Sequence, residues 1–149
     1  METVARLATN CPNIVAIKEA GGSVERVSAL RSVLPDTFEI LSGDDSLTLP
    51  FLAAGAVGVI SVASNIIPRE VGHLVGSWLA GKPQGSQKLH AKYYRLFKDL
   101  FVEPNPAPVK YALALQGRMT PDVRLPLCEM SEANQARLRA LLAELELIS

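Results

Sequence analysis

An apolar strand followed by a helix occurs three times in the first 80 residues, and this repeat constrains the fold most. Short runs rich in β-branched residues at 13–18, 38–42 and 57–62 are each followed by apolar positions at helical spacing. Strands that alternate with helices form parallel sheets through right-handed crossovers. The sequence therefore predicts an α/β fold with three parallel strands in residues 1–80.

The chain after residue 80 carries helical patterns only. Apolar side chains recur every three or four residues along 89–100, 109–115 and 138–145, and a proline-rich connector occupies 104–108. Ser131 is a predicted cap for the last helix. We therefore expect a C-terminal helical region over residues 81–149.

Composition excludes several classes of function. Lysine plus arginine equals aspartate plus glutamate at 15 each, so no net field favours nucleic acid or an acidic membrane surface. No apolar run reaches the roughly 20 residues that span a bilayer, and the N-terminus lacks the pattern of a signal peptide. Cys11 and Cys128 fit no metal-ligand spacing and are expected to be reduced thiols, while His73 and His90 have no partner ligands nearby in sequence. We expect a cytoplasmic protein without a metal site.

Lys18 is the residue with the clearest chemical potential. It ends the first apolar run, shortly before Gly21 and Gly22. If helices cover both faces of the sheet, Lys18 lies at the carboxyl end of a buried strand, where α/β proteins place their chemistry. A desolvated lysine amine loses its proton more readily and can attack a ketone to form a Schiff base. In the alternative interpretation, Lys18 simply extends from the strand end into solvent.

A three-stranded parallel sheet leaves two unpaired edges, and both are apolar here. Such edges pair readily with another chain, and sheets of three strands are smaller than usual. The sequence thus indicates part of a larger assembly, formed by oligomerisation or with a partner segment.

Four segments, in this order, closely resemble the C-terminal half of the dihydrodipicolinate synthase family. They are Asn-Ile-Val-Ala-Ile-Lys-Glu-Ala at 13–20, Leu-Ser-Gly-Asp-Asp at 41–45, Gly-Val-Ile-Ser-Val at 58–62 and Phe-Val-Glu-Pro-Asn-Pro-Ala-Pro-Val-Lys at 101–110. Arg-Leu-Pro-Leu at 124–127 is also similar to a late loop of the family. The Ser-Gly-Asp-Asp and Glu-Pro-Asn-Pro segments favour this family over the N-acetylneuraminate lyases and sugar-acid aldolases.

The resemblance implies a (β/α)8 barrel followed by a helical region, of which this chain holds a part. In that fold Lys18 ends the sixth strand and forms the Schiff base with pyruvate, and Gly43 and Ile60 line the pyruvate pocket, Ile60 through its backbone. The family condenses pyruvate with aspartate semialdehyde on the route to diaminopimelate and lysine. It uses no metal or organic cofactor, because the lysine itself forms the covalent bond to the substrate.

The resemblance also identifies what this chain lacks. Strands one to five of the barrel carry the family's tyrosine proton donor, its threonine-tyrosine relay and the arginine for the second substrate, and Tyr93, Tyr94 and Tyr111 match none of them. Asp44 and Asp45 are expected to cap the following helix rather than to act as an acid/base pair. Two hypotheses remain: a lyase of this family that is impaired as an isolated chain, or an inactive half-barrel that self-associates or complements a separate N-terminal half.

Overall fold

Three parallel strands form one sheet in the computed structural model, which describes residues 1–148. The strands are β1 (Ala16–Glu19), β2 (Glu39–Ser42) and β3 (Gly58–Val59), and they lie in the order β1-β2-β3. Lys18 lies opposite Leu41, and Ser42 lies opposite Val59. The predicted α/β fold with three parallel strands is confirmed, and the strands lie in sequence order.

Seven α-helices accompany the sheet in residues 1–148, and two short 3-10 helices follow β2 and β3. The α-helices are α1 (Glu2–Asn10), α2 (Val24–Arg31), α3 (Thr48–Ala53), α4 (Pro68–Leu79), α5 (Pro83–Asp99), α6 (Ala107–Leu115) and α7 (Glu132–Glu144). The 3-10 helices are Asp45–Leu47 and Ala63–Asn65.

Local signals explain where several helices begin and where α3 ends. The Ser23 hydroxyl accepts a hydrogen bond from the Arg26 amide at 3.3 Å, which caps α2 as its position predicts. Pro68 and Pro83 occupy the first turns of α4 and α5, where the missing amide hydrogen has no intrahelical partner. Gly55 follows α3 with a φ of 99°, a conformation that favours glycine.

The strand predicted at 57–62 is wrong in length, because only Gly58–Val59 pairs with β2. The chain beyond Val59 turns into the 3-10 helix Ala63–Asn65, and the amides of Val62 and Ala63 bind the side chain of Asp45 instead of a neighbouring strand. The first two strands also begin later than the predicted 13–18 and 38–42. Between β2 and β3 the chain forms a 3-10 turn and then α3 rather than one continuous helix.

Helices cover one face of the sheet within the described residues. Residues on that face are buried, with Ile40 at 0% and Glu19 at 3% exposure, whereas Lys18 and Glu39 on the opposite face are exposed. The expectation that both faces are covered is therefore not met by residues 1–148. The apolar cluster beneath the covered face consists of Val27, Leu30, Leu34, Phe38, Ile40, Phe51 and Ala56.

A larger apolar cluster holds the helical part together. It joins residues of α3, α4 and the second 3-10 helix to residues of α5, α6 and α7. The cluster includes side chains from both sides of residue 80, so the helical region shares its core with the βα part. The proposed division into residues 1–80 and 81–149 stays a prediction. None of the helices described here has the length and apolar character needed to cross a bilayer.

Polar contacts attach α7 to the connector between α5 and α6. The Glu103 carboxylate accepts hydrogen bonds from Ser131 N at 3.0 Å, Ser131 Oγ at 2.8 Å and Asn134 Nδ2 at 2.7 Å. Ser131 thus stands at the predicted N-terminus of the helix, but its hydroxyl donates to Glu103 rather than accepting from the helix backbone. Arg137 donates two hydrogen bonds to the buried carboxylate of Asp99, at 2.6 and 3.0 Å.

Candidate active site at the carboxyl ends of the strands

The three residues predicted to form the site all lie at the carboxyl ends of adjacent strands. Lys18 is the last residue but one of β1, Gly43 follows the end of β2, and Ile60 follows the end of β3. The strands are parallel and neighbouring, so these ends share one edge of the sheet. The fold therefore brings together residues that are 25 and 17 positions apart along the chain.

Backbone hydrogen bonds continue beyond the strands and fix this edge. The Gly43 amide donates to the Glu19 carbonyl at 2.8 Å, and the Ile60 amide donates to the Ser42 carbonyl at 2.8 Å. Because the Ile60 amide is engaged in this way, its carbonyl is the backbone group left to meet a ligand. That geometry is compatible with the backbone role expected for Ile60.

Gly43 lies directly against the side chain of Lys18. A Cβ atom on residue 43 would stand 3.0 Å from the Lys18 Cε and 2.6 Å from the Ala20 Cβ. Carbon atoms in ordinary contact are about 3.5–4.0 Å apart, so only glycine fits at this position. Gly43 is thus required by the close approach of β1 and the lysine stem.

Lys18 itself is exposed within the described residues. The desolvated setting expected for its amine is absent there, because no described helix or strand covers that face of the sheet. Within residues 1–148, the amine therefore matches the alternative in which Lys18 extends into solvent. The stem of the side chain nevertheless lies against Gly43. The structure thus places the lysine stem at the strand edge, and within residues 1–148 the face around the amine is open.

A buried carboxylate supports the end of β1. The Glu19 carboxylate accepts hydrogen bonds from the Gly21 amide and from the Arg26 guanidinium, both at 2.7 Å. A Cβ on residue 21 would stand 2.6 Å from Glu19 Oε1, so a larger residue at the turn would require the carboxylate to shift. Glu19 therefore anchors the turn after Lys18 to helix α2.

The paired aspartates after Gly43 have different partners. Asp44 Oδ1 accepts from Ser46 N at 2.9 Å and Ser46 Oγ at 2.8 Å, which caps the 3-10 helix that follows β2, as expected. Asp45 does not cap that helix. Its Oδ2 accepts from the amides of Val62 and Ala63 at 3.0 and 2.9 Å, so the expectation for Asp45 was wrong.

Sequence reasoning did not identify Glu19 and Asp45 as supports of the site. Glu19 has a signal, because a charged residue stands among apolar ones on the covered face of a strand. Asp45 also has one, since the run Ser-Gly-Asp-Asp holds one more carboxylate than a single helix cap uses. Both residues are 3% exposed, and buried carboxylates require partners.

The two histidines lie on helices α4 and α5, and the cavity described below lies in the helical region, away from the carboxyl ends of the strands. His73 is an exposed residue of α4, and His90 of α5 packs against the rings of Tyr94 and Phe97, with centroids at 5.6 and 6.2 Å. Burial lowers the pKa of His90. Within residues 1–148, no three His, Cys, Asp or Glu side chains stand close enough to hold a metal ion. A cavity of about 120 Å³ in the helical region is lined by Ala107, Tyr111, Pro121, Glu129, Met130 and Gln135.

Comparison with known proteins shows one family. Residues 1–145 match the model of the dihydrodipicolinate synthetase family. The chain is 48% identical over 147 residues to the 4-hydroxy-tetrahydrodipicolinate synthase of Geobacter sulfurreducens, a match that covers 99% of this chain and 50% of that protein. The chain spans about half the length of the curated relatives it matches.

Solved structures agree with this result. The dihydrodipicolinate synthase from Aquifex aeolicus superimposes with a TM-score of 0.95 at 46% identity, over 98% of this chain and 50% of that one. A chloride-inhibited dihydrodipicolinate synthase from Acinetobacter baumannii, complexed with pyruvate, superimposes with a TM-score of 0.93 at 37% identity, over 99% and 50%. The three strands and seven helices described here thus have the arrangement of half of such an enzyme.

Proposed function

Because the chain belongs to the dihydrodipicolinate synthetase family, we propose that it carries the Schiff-base half of a 4-hydroxy-tetrahydrodipicolinate synthase. In this proposal pyruvate binds at the shared strand edge and reacts with Lys18, and aspartate semialdehyde is the second substrate. The observation that carries the proposal is the convergence of Lys18, Gly43 and the Ile60 backbone on one edge of a parallel sheet.

The topology supports a position at the end of a barrel. Three strand-helix units are followed by helices only, which is the order expected where the last units of a (β/α)8 barrel meet an appended helical region. A closed barrel of eight strands then takes five strands from another segment. Within residues 1–148, both outer strands, β1 and β3, have an unpaired side available. Those strands would also cover the open face on which Lys18 lies.

The proposed chemistry begins at the lysine amine. The neutral amine adds to the C2 carbonyl of pyruvate, and loss of water gives an imine between Nζ and C2. Protonation of the imine nitrogen and loss of a proton from C3 give a neutral enamine. Its C3 forms a carbon–carbon bond to the aldehyde carbon of aspartate semialdehyde, whose oxygen takes up a proton while the nitrogen returns to the protonated imine. The lysine supplies the electron sink itself, so this sequence of steps needs no metal or organic cofactor.

Proton transfer is the part that the described residues do not supply. Positioned acids and bases typically contribute about 10²–10⁴-fold to a rate. We assign no such group on this chain, and an open face admits water to the amine. We therefore expect the isolated chain to be impaired in condensation while retaining the reacting amine.

Reductive trapping tests the proposal. The chain is incubated with pyruvate and borohydride, and the intact mass is measured, with the Lys18→Arg variant as a matched control that keeps the charge but forms no imine. We expect one reduced pyruvate adduct on the wild-type chain and none on the variant. Equal labelling of both proteins, or of neither, would overturn the assignment of Lys18.

A second candidate function is favoured by the open sheet. The two unpaired edges and the exposed Val57 and Ile60 favour a half-barrel that acts only by association, with a second copy or with a chain that carries the remaining strands. Light scattering after size exclusion distinguishes this case. A monodisperse monomer would argue against self-association, whereas a defined oligomer without the pyruvate adduct would favour the non-catalytic role.

A further inference from the structure

A single buried carboxylate joins the two loops that carry the proposed pyruvate pocket. Asp45 stands two residues after Gly43 and is 3% exposed. Its Oδ2 accepts hydrogen bonds from Val62 N and Ala63 N, 17 and 18 residues further along the chain. These bonds connect the loop after β2 directly to the loop after β3.

The Ile60 segment is consequently held at both ends. At its start, the Ile60 amide donates to the Ser42 carbonyl at 2.8 Å. At its end, Asp45 holds the amides of Val62 and Ala63. The last residue of β2 and the turn that follows it thus supply the two anchors, and Gly43, which lies between them, stands against the Lys18 stem.

We infer that Asp45 is a positioning residue for the pyruvate pocket, which sets the Ile60 backbone at a fixed distance from Gly43 and Lys18. This inference rests on the function proposed above. Asp45 does not touch the reacting atoms in this account. Asp45 acts through the backbone of residues 60–63. A displacement of that backbone by about 1 Å is enough to misalign a bound substrate and to slow its reaction strongly.

The chain offers a matched control in the neighbouring residue. Among the described residues, the Asp44 side chain accepts hydrogen bonds from Ser46 alone and thus stabilises its own turn, with no hydrogen bond to the Ile60 segment. Asp45→Ala removes the acceptor of two amides, whereas Asp45→Asn can keep both bonds, because a single oxygen accepts them. Asp44→Ala removes a cap of similar size and leaves the link between the loops intact.

Two measurements on the full chain separate these variants. The first is amide hydrogen exchange at Val62 and Ala63, which we expect to accelerate about tenfold or more in Asp45→Ala and to stay unchanged in Asp45→Asn and Asp44→Ala. The second is the pyruvate concentration that gives half-maximal reductive trapping on Lys18. We expect it to rise about tenfold in Asp45→Ala, with the same final extent of labelling, and to change less than about twofold in the other two variants.

Each outcome decides a different question. Unchanged exchange at Val62 and Ala63 in Asp45→Ala, or an unchanged half-maximal concentration while the wild type is labelled, would overturn the role of Asp45. A similar rise in Asp44→Ala would also overturn it, because the effect would then follow from general weakening of the loop. Failure of the wild-type chain to take up pyruvate would instead overturn the proposed function, and with it the pocket that Asp45 positions.

Discussion

Replacement of Gly43 by alanine perturbs the site without changing any charge. The added Cβ would stand 2.6 Å from the Ala20 Cβ, 3.0 Å from the Lys18 Cε and 3.2 Å from the Ala20 Cα. Overpacking of this kind costs about 1–3 kcal/mol, since the backbone at Ala20, just after β1, must move. With a cost of about 2 kcal/mol and a urea slope of about 2 kcal/mol per M, the unfolding midpoint falls by about 1 M.

Urea unfolding followed by circular dichroism measures this effect, and reductive trapping with pyruvate reports on the displaced lysine. Gly76→Ala is the matched control, because nothing stands within 4 Å of its added Cβ and alanine is about 1 kcal/mol better than glycine inside a helix. We expect Gly76→Ala to raise the midpoint and Gly43→Ala to lower both the midpoint and the labelling of Lys18.

Combining Gly43→Ala with Ala20→Gly removes the closest contact and should restore part of the loss. A Gly43→Ala protein with wild-type stability and labelling would refute the argument from close approach.

Two further predictions concern the attachment of helix α7. Arg137→Ala leaves the buried Asp99 carboxylate unpaired, so we expect it to lower the urea midpoint more than Arg95→Ala, which breaks an exposed ion pair worth at most about 1 kcal/mol. Hydrogen bonds from Asn134 and then Ser131 hold the pKa of Glu103 below its usual value of 4.5. The stability that Glu103 contributes is therefore present above pH 4.5 and is lost as the pH falls below it, and the acid-induced drop in midpoint should be smaller in Glu103→Gln.

The features that the sequence predicted are local ones. Each strand-helix unit has its own apolar pattern and its own boundary signal, such as the Ser23 cap at the start of α2 or the glycine after α3. The placement of Lys18, Gly43 and Ile60 at one edge follows from parallel strands alone, once the units are recognised. These predictions needed no knowledge of distant contacts.

The features that the sequence did not predict depend on distant contacts. The third strand is shorter than predicted, and beyond it the amides of Val62 and Ala63 bind Asp45, 17 and 18 residues away. No local pattern in residues 57–62 reveals those bonds. The open face of the sheet is a similar case. An apolar strand pattern indicates that both faces can be covered, but it does not say whether the cover belongs to the same part of the chain.

The central claim, that Lys18 is the amine that reacts with pyruvate, has a direct test in peptide mapping after reductive trapping. Trypsin cleaves after an unmodified lysine but not after an alkylated one, so a reaction at Lys18 converts the peptide of residues 7–18 into one that spans residues 7–26 and carries the adduct. We predict that this longer peptide accounts for the label and that Lys82, Lys88, Lys92 and Lys98 remain unmodified. A label spread evenly over all the lysines, with the peptide of residues 7–18 still cleaved and unmodified, would contradict the account.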